Sequence, residues 1–272
     1  MADPRPIGVF DSGVGGLTVV ASLRKRLPRE SILYLGDTAR VPYGTKGDET
    51  VRRYAARTVD FLRREDVKMV VVACNTATAL ALPSLRAEAA TRGDALPIYG
   101  VIAPGVEMAL AAVGDSDRAV AVIATESTVR SDAYGAALRA HRADLTVRSR
   151  ACPLFVPLVE EGWADDPITE QVARRYLDDW LGPDVGVLVL GCTHYPLLAS
   201  VLARVAGPAV RLVDSADATA DAVARALGAT HRAAPADATA SLRLCVTDAS
   251  DRFQRVASAI LGRPATLTWV DL

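Results

Sequence analysis

The chain has 272 residues, half of them hydrophobic, and a formal net charge of -1. That is enough for one large or two modest α/β domains, and the near-neutral balance excludes a global field that would recruit nucleic acid or an anionic membrane. Residues 1–6 carry charge and proline where a signal core would be apolar, and no apolar run approaches the roughly 18 residues of a membrane span; a cytoplasmic protein is expected.

Apolar runs that read as buried strands fall at 7–10, 32–35, 69–73, 98–102, 119–124, 145–149, 187–190, 210–213, 242–246 and 267–270. Helical patterns lie between most of them, at 17–27, 47–64, 77–91, 129–140, 168–181 and 216–227, and the Ala-, Pro- and Thr-rich stretch 229–240 reads as a surface loop. Alternation of this kind is the signature of parallel sheets. About ten strands is many for a single sheet, so two sheets are expected.

Four cysteines in a chain this long do not make a disulfide framework. Without a CxxC pair, and with His141, His194 and His231 scattered, a metal site has little support. Cys245, inside an apolar run, and Cys152, before Pro153, read as packing residues. Cys74 and Cys192 differ from them: each follows a Val-rich run and precedes hydrogen-bonding residues, in Ala73-Cys74-Asn75-Thr76 and Gly191-Cys192-Thr193-His194. Ligands of open α/β sheets sit at the carboxyl ends of strands. Two thiols facing one ligand there suit a reaction that needs a base on one face and an acid on the other.

A faint internal repeat accompanies the pair. Asp11 precedes Cys74 by 63 positions and Thr125 precedes Cys192 by 67, each following an apolar run; gene duplication is one explanation and chance likeness of strand ends the other. The turn Asp11-Ser12-Gly13-Val14-Gly15-Gly16 lacks the third glycine of a dinucleotide fingerprint, although Asp37 mimics the ribose-binding acid. Its amides at the start of the 17–27 helix would suit a carboxylate, and Asp11 would suit an ammonium group on the same ligand. The cluster Pro42-Tyr43-Gly44 is an ordinary turn by composition or a strand-end loop facing the same crevice.

Together these segments resemble, in order and spacing, the cofactor-independent glutamate racemases of bacterial cell-wall synthesis. The resemblance rests on Asp11-Ser12-Gly13-x-Gly15-Gly16, Pro42-Tyr43-Gly44, Ala73-Cys74-Asn75-Thr76, Thr128-Val129-Arg130-Ser131, the 152–162 segment and Gly191-Cys192-Thr193-His194-Tyr195-Pro196. It implies an α/β fold of two similar domains, each a largely parallel sheet flanked by helices, with the active site in the cleft between them. The division expected is 1–100 with 214–272, and 101–213. It implies racemisation of L-glutamate and D-glutamate without metal or cofactor, Cys74 acting on D-glutamate and Cys192 on L-glutamate. Asp11 would assist Cys74, and His194 with Glu160 or Glu161 would assist Cys192. Asp11, Ser12, Gly13, Tyr43, Gly44, Asn75, Thr76, Thr128, Thr193 and His194 would hold the substrate. One departure is Ala124, where many members carry glycine.

The resemblance also implies a homodimer. It admits DNA gyrase as a secondary partner, since some members inhibit it, although nothing basic or extended in the chain argues for that. An aspartate-specific racemase of the same superfamily and a Cys-His hydrolase remain the rival enzymes.

Overall fold

A computed structural model describes residues 2–93 and 96–272. In chain order the elements are β1 (Ile7–Asp11), α1 (Leu17–Arg26), β2 (Ile32–Gly36), α2 (Asp48–Arg64), β3 (Met69–Val72), α3 (Asn75–Thr91), β4 (Ile98–Gly100), α4 (Ile102–Val113), β5 (Ala119–Ala124), α5 (Glu126–Arg130), α6 (Ala133–His141), β6 (Val147–Ala151), α7 (Phe155–Glu160), α8 (Pro167–Leu177), β7 (Val185–Gly191), α9 (Ala199–Ala206), β8 (Arg211–Val213), α10 (Ala216–Ala229), β9 (Leu242–Val246), α11 (Asp251–Leu261) and β10 (Leu267–Trp269). Among the described residues, no helix is long and apolar enough to cross a membrane.

Among the described residues the strands form two sheets, in the orders β10-β9-β2-β1-β3-β4 and β6-β5-β7-β8, and every pairing there is parallel. The expected α/β class with two helix-flanked parallel sheets is borne out. The central strands are apolar without alternation because helices cover both faces: every residue of β1, β2, β3 and β5 is buried. Two apolar clusters flank the first sheet and two the second. Edge strand β6, with Arg148 and Arg150, is only partly covered.

With β9 and β10 set aside, the two sheets share one order. Strands β2-β1-β3-β4 correspond to β6-β5-β7-β8, so Asp11 ends and Thr125 directly follows corresponding strands, and Cys74 and Cys192 follow corresponding strands. That is the pattern duplication would leave. The chain passes between the sheets at 100–102 and again at 213–216.

Local chemistry departs from the sequence expectation at several places, two of which bear on the site. The pattern at 129–140 predicts one helix, but the chain breaks after Ser131: Asp132 takes a left-handed conformation (φ 53°), and the Ser131 hydroxyl donates to the Thr128 carbonyl 2.7 Å away while accepting from the Ala133 N–H. Separate helices α5 and α6 result. The helix expected from 77 begins instead at Asn75, which makes Cys74 its N-cap.

Candidate active site

Cys74 lies 5 % exposed, with its sulfur accepting the Ala77 N–H at 3.4 Å and 3.7 Å from the Ser12 hydroxyl oxygen. A helix N-terminus favours a thiolate. Burial opposes it and wins, aided by the nearby Asp11 carboxylate, so the Cys74 pKa is pushed up to about 12. The thiol is therefore the resting form at neutral pH, and its sulfur needs a proton acceptor before it can act as a base. Asp11 is fully buried at the end of β1, where it accepts the Gly13 N–H at 2.9 Å and the Thr193 hydroxyl at 3.4 Å.

Cys192 follows β7 from the other sheet, and is 6 % exposed. Its sulfur lies 3.8 Å from Nδ1 of His194, whose Nε2 lies 3.2 Å from a Glu160 carboxylate oxygen. Burial alone would lower the His194 pKa; the contacts with Cys192 and Glu160 override it and push it up to about 10. The imidazolium is then a proton store beside Cys192, oriented by Glu160. Glu161 is not part of this chain of contacts: it turns outward to pair with Arg252 at 2.5 Å. The two thiols are close enough for charge on Cys192 to act on Cys74.

Between the thiols is a cavity of about 20 Å³, room for one water and far short of an amino acid. Ser12, Tyr43, Gly44, Asn75, Thr76, Thr193 and His194 line it. Thr128 reaches the same place from α5: the hydroxyls of Thr76, Thr125 and Thr128 form a triangle with sides of 2.9, 3.2 and 3.0 Å, joining the two sheets' ends. Gly13 lines a neighbouring cavity of about 370 Å³, on the outer side of Val41.

Several residues have tasks the sequence does not suggest. The Tyr43 hydroxyl donates to Asp37 at 2.6 Å, a bond within its own loop. Asp37 itself is fully buried and also accepts from Thr247 at 3.0 Å; it pins the 37–45 loop, and no ribose partner is needed to explain it. The start of α1 is not an open carboxylate cradle either, because the Asp11 side chain takes the Gly13 amide and Gly15 packs on Thr193 and His194. Val41, Pro42, Thr125 and Val156 also line the cavity. Of these, Thr125 left a signal in its place in the repeat and Pro42 in the Pro42-Tyr43-Gly44 cluster, whereas Val41 and Val156 were not singled out for the site. Cys152 and Cys245 are buried in apolar clusters, as the packing reading expects.

Two glycines set how closely the sheets' ends approach. A Cβ on Gly15 would collide with the Thr193 hydroxyl and His194, and one on Gly44 would stand 2.5 Å from Thr125 Cβ. Gly44 sits where the Ser127 hydroxyl donates to its carbonyl at 2.9 Å, so an added methyl must push the second sheet's loop away. Gly44→Ala is expected to lower kcat/KM on the order of tenfold or more, since small displacements of reacting groups carry costs of that size, while circular dichroism remains that of the parent. Unchanged kinetics would show that the contact is not needed for closure.

The Asp/Glu/Hydantoin racemase family model matches residues 16–223. The chain is 47 % identical over 258 residues to a glutamate racemase of Syntrophus aciditrophicus, covering 95 % of this chain and 93 % of that one. Among solved structures it is similar to glutamate racemase from Francisella tularensis in complex with D-glutamate, with TM-score 0.90 and 36 % identity over 99 % of this chain and 98 % of that one. It is also similar to the Thermus thermophilus glutamate racemase in complex with β-chloro-D-alanine, with TM-score 0.85 and 45 % identity over the same shares. Two cysteines at corresponding strand ends, in a chain matched along nearly its whole length, leave one conclusion: it belongs to the Asp/Glu/hydantoin racemase family, among the glutamate racemases.

Proposed function

We propose that the protein interconverts L-glutamate and D-glutamate by a two-base mechanism at Cys74 and Cys192, supplying D-glutamate for peptidoglycan. The observation that carries this reading is the pair of buried sulfurs entering one cavity from the ends of corresponding strands, each with its own proton-handling neighbour.

In the D-to-L direction, Asp11 accepts the Cys74 proton and the Cys74 thiolate removes the α-proton. The protonated Cys192, replenished by the His194 imidazolium, then delivers a proton to the opposite face. The reverse direction exchanges the roles, so each sulfur ends one turnover in the protonation state from which the opposite reaction starts. Charge developing on the substrate's α-carboxylate would be met by Ser12, Asn75, Thr76 and Thr193, donors fixed in place before the reaction. The room between the sulfurs is too small to admit glutamate, so the lobes 1–100 with 214–272 and 101–213 are proposed to part for substrate and close on it, excluding water. A homodimer is proposed on the resemblance alone.

The test is incubation of either enantiomer in deuterated water with no added cofactor, followed by proton NMR and circular dichroism. Loss of the α-proton signal together with decay of optical activity is the expected result. The same protein acting faster on aspartate would overturn the substrate assignment, and racemisation without solvent exchange would overturn the mechanism.

A further inference from the structure

Asn75 lines the cavity between the thiols and is 3 % exposed, yet its side-chain nitrogen has no hydrogen-bond partner among the described residues. Its oxygen, by contrast, is firmly held: the Tyr134 hydroxyl donates to Asn75 Oδ1 at 2.7 Å. Tyr134 belongs to α6, packed on the second sheet, and Asn75 opens α3 on the first, so this bond crosses between the sheets. Ser215, in the 213–216 passage between them, sits beside the same hydroxyl, and a Cβ on Gly105 would stand 3.1 Å from it.

A primary amide can be turned half a revolution at little steric cost, exchanging donor for acceptor. A carboxylate substrate needs the donor. A hydroxyl that donates to Oδ1 removes the ambiguity, leaving the NH₂ group to be presented to the ligand. Burial pushes the Tyr134 pKa up, so the hydroxyl keeps its proton throughout the working range. The ring is already accounted for by its place in the apolar cluster of the second sheet, where phenylalanine would pack as well. What packing leaves unexplained is the hydroxyl.

We infer that Tyr134 is a positioning residue for racemisation: from across the cleft it locks the Asn75 amide with its NH₂ toward the substrate carboxylate, and so makes Asn75 a competent donor only when the two sheets are in register. It does not line the cavity and acts through Asn75. The inference rests on the glutamate racemase reading. A parent chain inactive on glutamate would overturn that reading, whereas an active parent indifferent to this hydroxyl overturns only the present one.

The experiment is a double-mutant cycle of Tyr134→Phe and Asn75→Ala, with kcat and KM measured for both enantiomers by circular dichroism. Tyr134→Phe is expected to reduce kcat/KM on the order of tenfold, divided between KM and kcat, because the Asn75 donor holds the carboxylate in the ground state and meets the charge that grows on it in the transition state. In the Asn75→Ala background the same change is expected to have no further effect, as coupled neighbours require. A Tyr134→Phe enzyme within twofold of the parent, or an equal loss in both backgrounds, overturns the inference. Should Tyr134→Phe be too unstable to assay, 4-aminophenylalanine at position 134 keeps a ring-borne donor and is expected to retain parental kinetics; a tenfold loss there overturns it too.

Discussion

Cys74→Ser and Cys192→Ser are each expected to lower kcat/KM for racemisation by about 10³-fold or more, the upper range for loss of a general acid or base. A serine hydroxyl fills the same space but is too weak an acid to be ionised by Asp11 or by a histidine. Because the two enantiomers have equal free energy in water, the loss must be the same in both directions, whichever sulfur is removed. Proton exchange without inversion is where the two variants separate. With Cys192 intact, Cys74→Ser should still wash the α-proton of L-glutamate into deuterated water; with Cys74 intact, Cys192→Ser should do so for D-glutamate. Full turnover in either variant, or exchange of the wrong enantiomer, would refute the assignment of one sulfur to each face.

Much of this arrangement is legible in the sequence because parallel strands buried on both faces read as unbroken apolar runs. All ten expected strands are present, with boundaries shifted by at most two residues at most ends, such as β6 at Val147–Ala151 instead of 145–149. The cysteine motifs were readable for the same reason: a small residue, a thiol and polar neighbours after a Val-rich run mark a strand's carboxyl end. Legibility stops where tertiary docking decides. The helical pattern at 129–140 contains no glycine or proline at the Asp132 break, and only the finished fold shows why the break matters: it lets Thr128 meet Thr76 while Tyr134 meets Asn75. Tyr43 and Asp37 show the same limit, since a tyrosine hydroxyl and a buried carboxylate satisfy each other only once the 37–45 loop is folded.

The choice between Glu160 and Glu161 is the clearest case. Neighbouring residues on a helix point about 100° apart, so one of them at most can face His194, and how α7 docks selects Glu160. Glu160→Gln is therefore expected to reduce kcat/KM on the order of 10- to 100-fold, less than the loss of a general acid or base itself, because Glu160 acts through His194. Glu161→Gln should stay within twofold, because its exposed pair with Arg252 contributes little. The pH profile carries the stronger test. The folded His194 pKa, raised to about 10 from an ordinary 6.5, makes its protonation stabilising: that contribution is fully present below about pH 6.5 and is lost as pH rises through about 10. Removing the Glu160 anion moves the folded pKa back toward the ordinary value. The alkaline limb of kcat/KM and the alkaline decline in melting temperature should both shift to lower pH in Glu160→Gln, and neither should shift in Glu161→Gln. If both profiles coincide with the parent's, Glu160 does not hold the His194 proton, and the replenishment of Cys192 must follow another route.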